Sequence, residues 1–460
     1  MGTLKKNLLY AFGSQAIQLI RSVIVSLLIP KILGIQEYGF WQLFIFYTQY
    51  GGFLHLGLID GISLREGGNQ YTNLNFKLLG VQLRVLLIWI CIAILPFCLL
   101  GLYNEDQDRS VVILMSCLFV IINLLYTFFL YIMQAVNRIK EASYGKILIS
   151  IIFIGAIIFL LSCHVNDYRP YIYTYISAHV IGLLYYMFKC KEIINNILSR
   201  ATKTYIKCLY SDIITGFVLL MSNIMGMLIV GYGRFMIDYT WGITTFSTVS
   251  FAFMFVNFFL MFINQASQVL FPELRRRSDD DICFFFEKYR HKLSLMFPIA
   301  LLLYAPICLF VNLWLPKYSQ SMEYLVFLLP LCVFDSKMNL FCNTLYKVFN
   351  KTNQLFMCNA ISLFVSSFLI SVSIYIFENI HFVVLSMLVS IGFRGVISER
   401  ILSSFSTVKM HWELVLFEVI LVSLFVIFNL LYSLWVAWCI IAFISVPYIY
   451  YIYKTEKEKV

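Results

Sequence analysis

The sequence predicts an all-α polytopic membrane protein of about fourteen transmembrane helices, arranged as two six-helix halves with two further helices at the C-terminal end. Three observations predict it. The 460 residues are 61% hydrophobic and only 13% charged, against roughly 45–50% apolar and 25% charged in soluble domains. The apolar residues fall in recurrent runs of roughly 20, the length that spans a bilayer. The Lys and Arg residues fall mainly on one set of alternating connectors, as cytoplasmic loops require.

Taken in order, the first span runs from Leu8 to Leu33 and the second from Tyr38 to Arg65. The third to sixth are Leu78 to Gly101, Ser110 to Ala135, Tyr144 to Cys163 and Pro170 to Phe188. A basic connector, residues 189–211, follows. The seventh and eighth are Asp212 to Tyr232 and Trp241 to Phe271, then a second basic connector from Pro272 to His291. Spans nine to twelve are Leu293 to Trp314, Met322 to Leu345, Gln354 to Phe377 and His381 to Ser403. The last two are Glu413 to Leu431 and Leu434 to Tyr453. Lys5 and Lys6 precede the first apolar segment with no small-residue cleavage site after it, so that segment is expected to remain as a span. With the N-terminus in the cytoplasm, that side collects Arg138, Lys140 and Lys146, residues 189–207, Arg275 to Lys292, Lys347, Lys351 and the Lys454–Lys459 tail. The other side keeps Arg109, Arg169, Arg234 and Lys317. Both termini are therefore placed in the cytoplasm.

A shift of 203 residues lays Lys31 on Arg234 and Tyr38-Gly39 on Trp241-Gly242, which suggests an internal repeat. The expected division is a six-helix bundle over 1–188, the connector 189–211, a second six-helix bundle over 212–403, and two added helices with a tail over 404–460. Two halves meeting around a central site is a common transporter plan.

Composition also excludes. The net charge of +10 sits in short loops and is no nucleic-acid signal. No GxxxxGK[ST] phosphate loop occurs. No connector is long enough for a soluble catalytic domain, and no nucleophile or His/Asp constellation is seen, so the chain is not read as an enzyme. The twelve cysteines are scattered without a CxxC and are read as packing residues; no cofactor or metal is expected.

The second span is apolar but striped. On one helix, Gln42, Gln49 and Asp60 fall within about 20° of one direction, with Gly52 and Ser63 beside them. Phe40, Phe44, Tyr47, Leu54 and Leu58 take the other side. Such a stripe either faces a wet cavity or joins helices together. In the eighth span Ser250, Asn257, Asn264 and Gln268 fall within about 40° of each other.

The stretch LGIQEYGFWQLFIFYTQYGGFLHLGLIDGISLREGG (Leu33 to Gly68), opening a chain of twelve plus two spans, resembles the Wzx-type polysaccharide flippases of the multidrug/oligosaccharidyl-lipid/polysaccharide (MOP) exporter superfamily. The resemblance is clearest there and again from Trp241 to Arg277. It implies two bundles around a central cavity in a bacterial cytoplasmic membrane. It also implies a substrate, an undecaprenyl-pyrophosphate-linked oligosaccharide, moved from the inner to the outer leaflet for O-antigen, capsule or a related glycan. Membrane lipid and, beyond it, polymerase and other glycan-assembly proteins are the implied partners. A multidrug or metabolite exporter of the same superfamily is the alternative.

A cavity for an anionic head group needs buried bases. Arg21 is the leading candidate, mid-way along the first span with Ser14 and Gln18 on its side; an ion pair with Asp60 or Asp335 is its structural alternative. A lone intramembrane Arg costs at least about 2.5–3.5 kcal/mol. Arg394, within IGFRGVISER, and Lys337, after Pro330, are deep in their spans. Arg84 is nearer an end and could snorkel. The substrate-binding set is thus Arg21, Arg394, Lys337, Arg84, Gln18, Gln42, Gln49, Asn257 and Asn264. Lys31, Arg65 and Arg234, at span ends, are gating candidates or simple anchors. Asp60, then Asp335 and Glu399, are the ion-coupling candidates. His55, about 140° from Asp60 on a continuous helix, is read as a core histidine. Trp41, Tyr47 and Trp241 are aromatic candidates for stacking on sugars.

Overall fold

The structure is a computed structural model and describes residues 2–274, 279–349, 351–406 and 410–457. Every regular element in them is helical. Eleven stretches are long and apolar enough to cross a membrane among the described residues, one of them a 59-residue stretch, Lys203–Met261, that covers two expected spans. The chain is a multi-pass membrane protein. It folds as two compact units, Met1–Ile224 and Met225–Val460.

In the first unit α1 (Gly2–Ile32) ends at the extended Gly34 and α2 (Ile35–Gly51) begins. Next come α3 (Leu58–Glu66), α4 (Phe76–Leu102), α5 (Gln107–Ala135), α6 (Ile139–Ser162) and α7 (Tyr168–Lys189). The short α8 (Lys191–Asn195) interrupts the basic connector, and the unit closes on the start of α9 (Lys203–Leu274). Polar residues stop the apolar runs and cap the next helix. The Asn75 side chain accepts from Leu78 N at 3.1 Å, Asp106 from Asp108 N at 2.9 Å, and Asp167 from Arg169 N at 2.9 Å. In the connector, burial pushes the Cys190 thiol up to about 11, which leaves it a packing residue as expected.

The second span is not one helix. After Gly51 the backbone tightens into a 3₁₀ turn over Gly52–His55, and Leu56 (φ 51) and Gly57 (φ 83) turn left-handed before α3 starts. The stranded Leu54 carbonyl accepts the Trp89 indole N–H at 2.7 Å, and His55 Nδ1 accepts Gly57 N–H at 3.1 Å. The break serves a close crossing. A Cβ on Gly57 would lie 2.5 Å from the Gly216 carbonyl carbon, one on Gly61 2.0 Å from the Asp212 oxygen, and one on Gly216 2.0 Å from the Gly57 oxygen. Three glycines thus let α3 touch α9 backbone to backbone. Helical periodicity cannot be carried through two left-handed residues, so Asp60 does not share the direction of Gln42 and Gln49.

In the second unit α9 is interrupted at Gly242 (φ 81, ψ −178), a conformation that suits glycine. The first unit's turn lies at Gly34, before Gly39, so the register of the 203-residue shift is not kept at the turns. Then follow α10 (Asp279–Leu302), α11 (Tyr304–Trp314), α12 (Ser321–Lys337), α13 (Asn343–Val348), α14 (Thr352–Tyr375), α15 (Ile380–Phe405), α16 (Trp412–Leu431) and α17 (Leu434–Lys457). Part of the expected Pro272–His291 connector is therefore helical, in α10. Between α12 and α13 the chain makes a π turn, Met338–Cys342. It preserves a polar row: Asn339 Nδ2 donates to Asp335 Oδ2 at 3.2 Å, and Asn343 Nδ2 to Asn339 Oδ1 at 2.9 Å.

Candidate functional site

Each unit carries its own set of charges. In the first, Arg21 is half-buried on α1, and no carboxylate pairs with it among the described residues. Its charge acts on Tyr126 of α5 and on Tyr175 and His179 of α7. Behind these lies an aromatic hub. The Tyr175 ring meets Trp41, Phe44 and Phe153 edge-on, with centroids 5.8, 5.9 and 5.0 Å away. It meets Phe119 at 5.1 Å and His179 at 4.4 Å. Such edge-to-face packing fixes ring positions. Gln18 lies one turn from Arg21 and donates Nε2 to Ser14 O at 3.1 Å. Gln42 donates to the Tyr38 hydroxyl at 2.7 Å. Gln49 is exposed, and Arg84 is half-buried and carries no ion pair among the described residues.

Where α3 crosses α9, Arg65 pairs with Asp212 and, at 2.9 Å, with Glu66. Asp212 also accepts from Gln82 Nε2 of α4 at 2.7 Å. Asp212 and Gln82 are both buried, so three helices share one polar knot beside three glycines. The broken second span changes the reading of His55: its Nε2 lies 3.9 Å from Asp60 Oδ2. Lys31 is exposed at the end of α1.

The second unit holds two buried ionic groups. Arg394 of α15 donates to Asn359 Oδ1 at 2.8 Å and to Asp335 Oδ1 at 3.2 Å. Deeper in the packing, Arg290, Lys337, Glu399 and Glu418 form a closed tetrad from α10, α12, α15 and α16. Arg290 reaches Glu399 at 3.0 Å and Glu418 at 2.6 Å, while Lys337 reaches the same two at 3.1 and 2.9 Å. None of the four side chains exceeds 4% exposure. In this conformation Lys337 and Glu399 are spent on each other and on their neighbours. Arg234 donates to Ser250 Oγ at 3.0 Å and lies over Phe246 and Phe253 at 5.3 and 5.2 Å. Asn257 is exposed. The side chains of Asn264 and Gln268, and Arg275, Arg276 and Arg277, lie outside the described residues.

No family model and no curated protein sequence matches the chain. Solved structures do. The lipid II flippase MurJ, in an inward closed conformation, matches over 98% of this chain and 99% of that one, with TM-score 0.66 and 10% identity. The fold is that of the MOP-superfamily transporters. An inward-facing multidrug-resistance MATE transporter of that superfamily matches over 84% and 92%, with TM-score 0.59 and 11% identity. The Vibrio cholerae MATE transporter VcmN, as a point mutant, matches over 88% and 97% with TM-score 0.58 and 14% identity. At such identities the likeness is one of architecture, which fits the fourteen expected spans.

Sequence reasoning overlooked Glu418, Arg290, Asp212, Gln82, Tyr175 and His179. Glu418 had a readable signal, since it is a lone acid inside the apolar run Leu414–Leu431. Arg290 was assigned to a cytoplasmic connector, yet it is 1% exposed. His179 and Tyr175 sit in a span rich in tyrosine, where nothing distinguishes them from interfacial aromatics.

Proposed function

We propose that the chain is a flippase for an undecaprenyl-pyrophosphate-linked oligosaccharide, supplying O-antigen, capsule or a related surface polysaccharide from a bacterial cytoplasmic membrane. The observation that carries the reading is Arg21: a guanidinium within a spanning helix of a MOP-type fold, with no carboxylate to neutralise it. A diphosphate must cross about 30 Å of hydrocarbon, and an uncompensated intramembrane cation lowers that barrier where a paired one does not. The Lys/Arg distribution supports termini in the cytoplasm. Transport is then ion-coupled. Asp60 is the first candidate because it faces a histidine, whereas Asp335 and Glu399 face permanently charged bases. The titles of several matched structures name multidrug transporters, which keeps the exporter as the second reading.

The test is a deletion strain with polymerase and ligase intact. Undecaprenyl-linked oligosaccharide accumulates on the cytoplasmic side and surface glycan is lost. Arg21→Lys restores glycan in part and Arg21→Ala does not. Normal surface glycan on deletion, together with lost resistance to cationic dyes, establishes the exporter instead.

A further inference from the structure

The Arg21 region contains more than a cation. His179 Nδ1 lies 2.8 Å from the Tyr175 carbonyl oxygen. A carbonyl only accepts, so Nδ1 carries the proton, and in the neutral ring Nε2 presents a lone pair. Nε2 has no partner among the described residues, although the side chain is 94% buried by its 6% exposure. The Tyr175 hydroxyl likewise makes no hydrogen bond among the described residues, while its ring is held on its edges and face by five aromatic neighbours. Tyr175 nevertheless retains accessible surface. A ring so enclosed exposes its hydroxyl end, the end on which the Arg21 charge acts. Buried polar groups are normally satisfied. Here a fixed acceptor and a fixed hydroxyl are both unsatisfied, next to an arginine without a carboxylate.

We infer that Arg21, Tyr175 and His179 form one binding site for a sugar phosphate: Arg21 takes the anionic oxygen, His179 Nε2 accepts a hydroxyl proton of the first sugar, and the Tyr175 hydroxyl completes the sugar contact. This rests on the translocation reading above and adds to it the residues that distinguish a glycosylated carrier from the bare diphosphate. Neither group suits an organic cation, which offers no anionic oxygen to Arg21. The α7 pair is rigid because the aromatic hub locks it, so recognition requires little ordering on binding.

The experiment measures binding to the full-length protein in lipid nanodiscs, with undecaprenyl diphosphate and undecaprenyl-diphospho-N-acetylglucosamine as probes. Tyr175→Phe removes one oxygen, and His179→Phe removes Nε2 while keeping a ring in the hub. Each is expected to weaken the glycosylated probe by about tenfold and to leave the bare diphosphate within about twofold. His179→Gln, which places an amide oxygen near the Nε2 position, recovers most of that loss. Arg21→Ala weakens both probes. If the two α7 variants leave the glycosylated probe unchanged, or weaken both probes alike, the sugar-reading role is overturned and the translocation reading stands on Arg21. If the wild-type protein binds neither probe, the translocation reading falls and this inference falls with it.

Discussion

Replacing Glu418 by Gln separates charge from shape in the buried tetrad. Glu418 is fully buried and accepts from Arg290 Nη1 at 2.6 Å, Ser294 Oγ at 2.9 Å and Lys337 Nζ at 2.9 Å. The tetrad of two bases and two acids is neutral as it stands. Glutamine leaves it with two cations against Glu399 alone, and turns an amide N–H₂ toward one of those cations. Breaking a buried pair from one side costs about 3–5 kcal/mol, two to nearly four decades in a folding equilibrium at about 1.4 kcal/mol per decade. The assay is denaturant-induced unfolding of the purified chain in detergent micelles. Lys337→Met in the same chain restores neutrality, so the double variant is expected to recover more than half of the loss. That corresponds to a coupling energy above about 1.5 kcal/mol in the double-mutant cycle. A loss below about 1 kcal/mol for Glu418→Gln, or strictly additive behaviour in the double variant, refutes the claim that these four charges compensate one another.

At the α3–α9 knot, Arg65→Ala leaves the buried Asp212 facing only the neutral Gln82, whereas Asp212→Asn leaves the more exposed Arg65 still beside Glu66; the first is expected to destabilise by about 1–2 kcal/mol more than the second in the same unfolding assay. Gly57→Ala combines left-handed backbone, worth about 1–2 kcal/mol, with a Cβ 2.5 Å from Gly216, so the yield of inserted protein falls sharply; Gly34→Ala, with nothing within 4 Å, is tolerated. Arg21→Ala inserts stably, since no carboxylate is left unpaired, and its defect is expected in surface glycan rather than in expression level. Arg394→Ala strands Asp335 beside Asn339 and Asn359, and is expected to reduce both stability and glycan export.

The number and order of the spans were legible because they depend on local properties: run length, flanking charge, and the Asn and Asp residues that cap helix starts. The break in the second span was not. Gly51, Gly52 and Gly57 permit a turn, but what requires it is the backbone of Gly216, some 160 residues along the chain. The same holds for the charges. Sequence identified Lys337, Glu399, Arg394 and Asp335 as costly in a membrane, which they are. It could not pair Lys337 with Glu418 across 81 positions, because no periodicity links residues on different helices. Arg21 was legible for the opposite reason, since a cation without a partner needs no distant residue to describe it.

The π turn at Met338–Cys342 has a consequence for chain length. A π turn holds one residue more than an α-helix would in the same place. Deleting a single residue there would let the ordinary helix close and rotate all that follows by about 100°. Tyr346, whose hydroxyl donates to Ser398 O at 3.0 Å, would swing away from α15, and Asn343 would leave the row begun by Asp335. In this segment it is the count of residues, more than their identity, that holds the two ends of the broken tenth span in phase, and a homologous chain one residue shorter here would present a different face to the same neighbours.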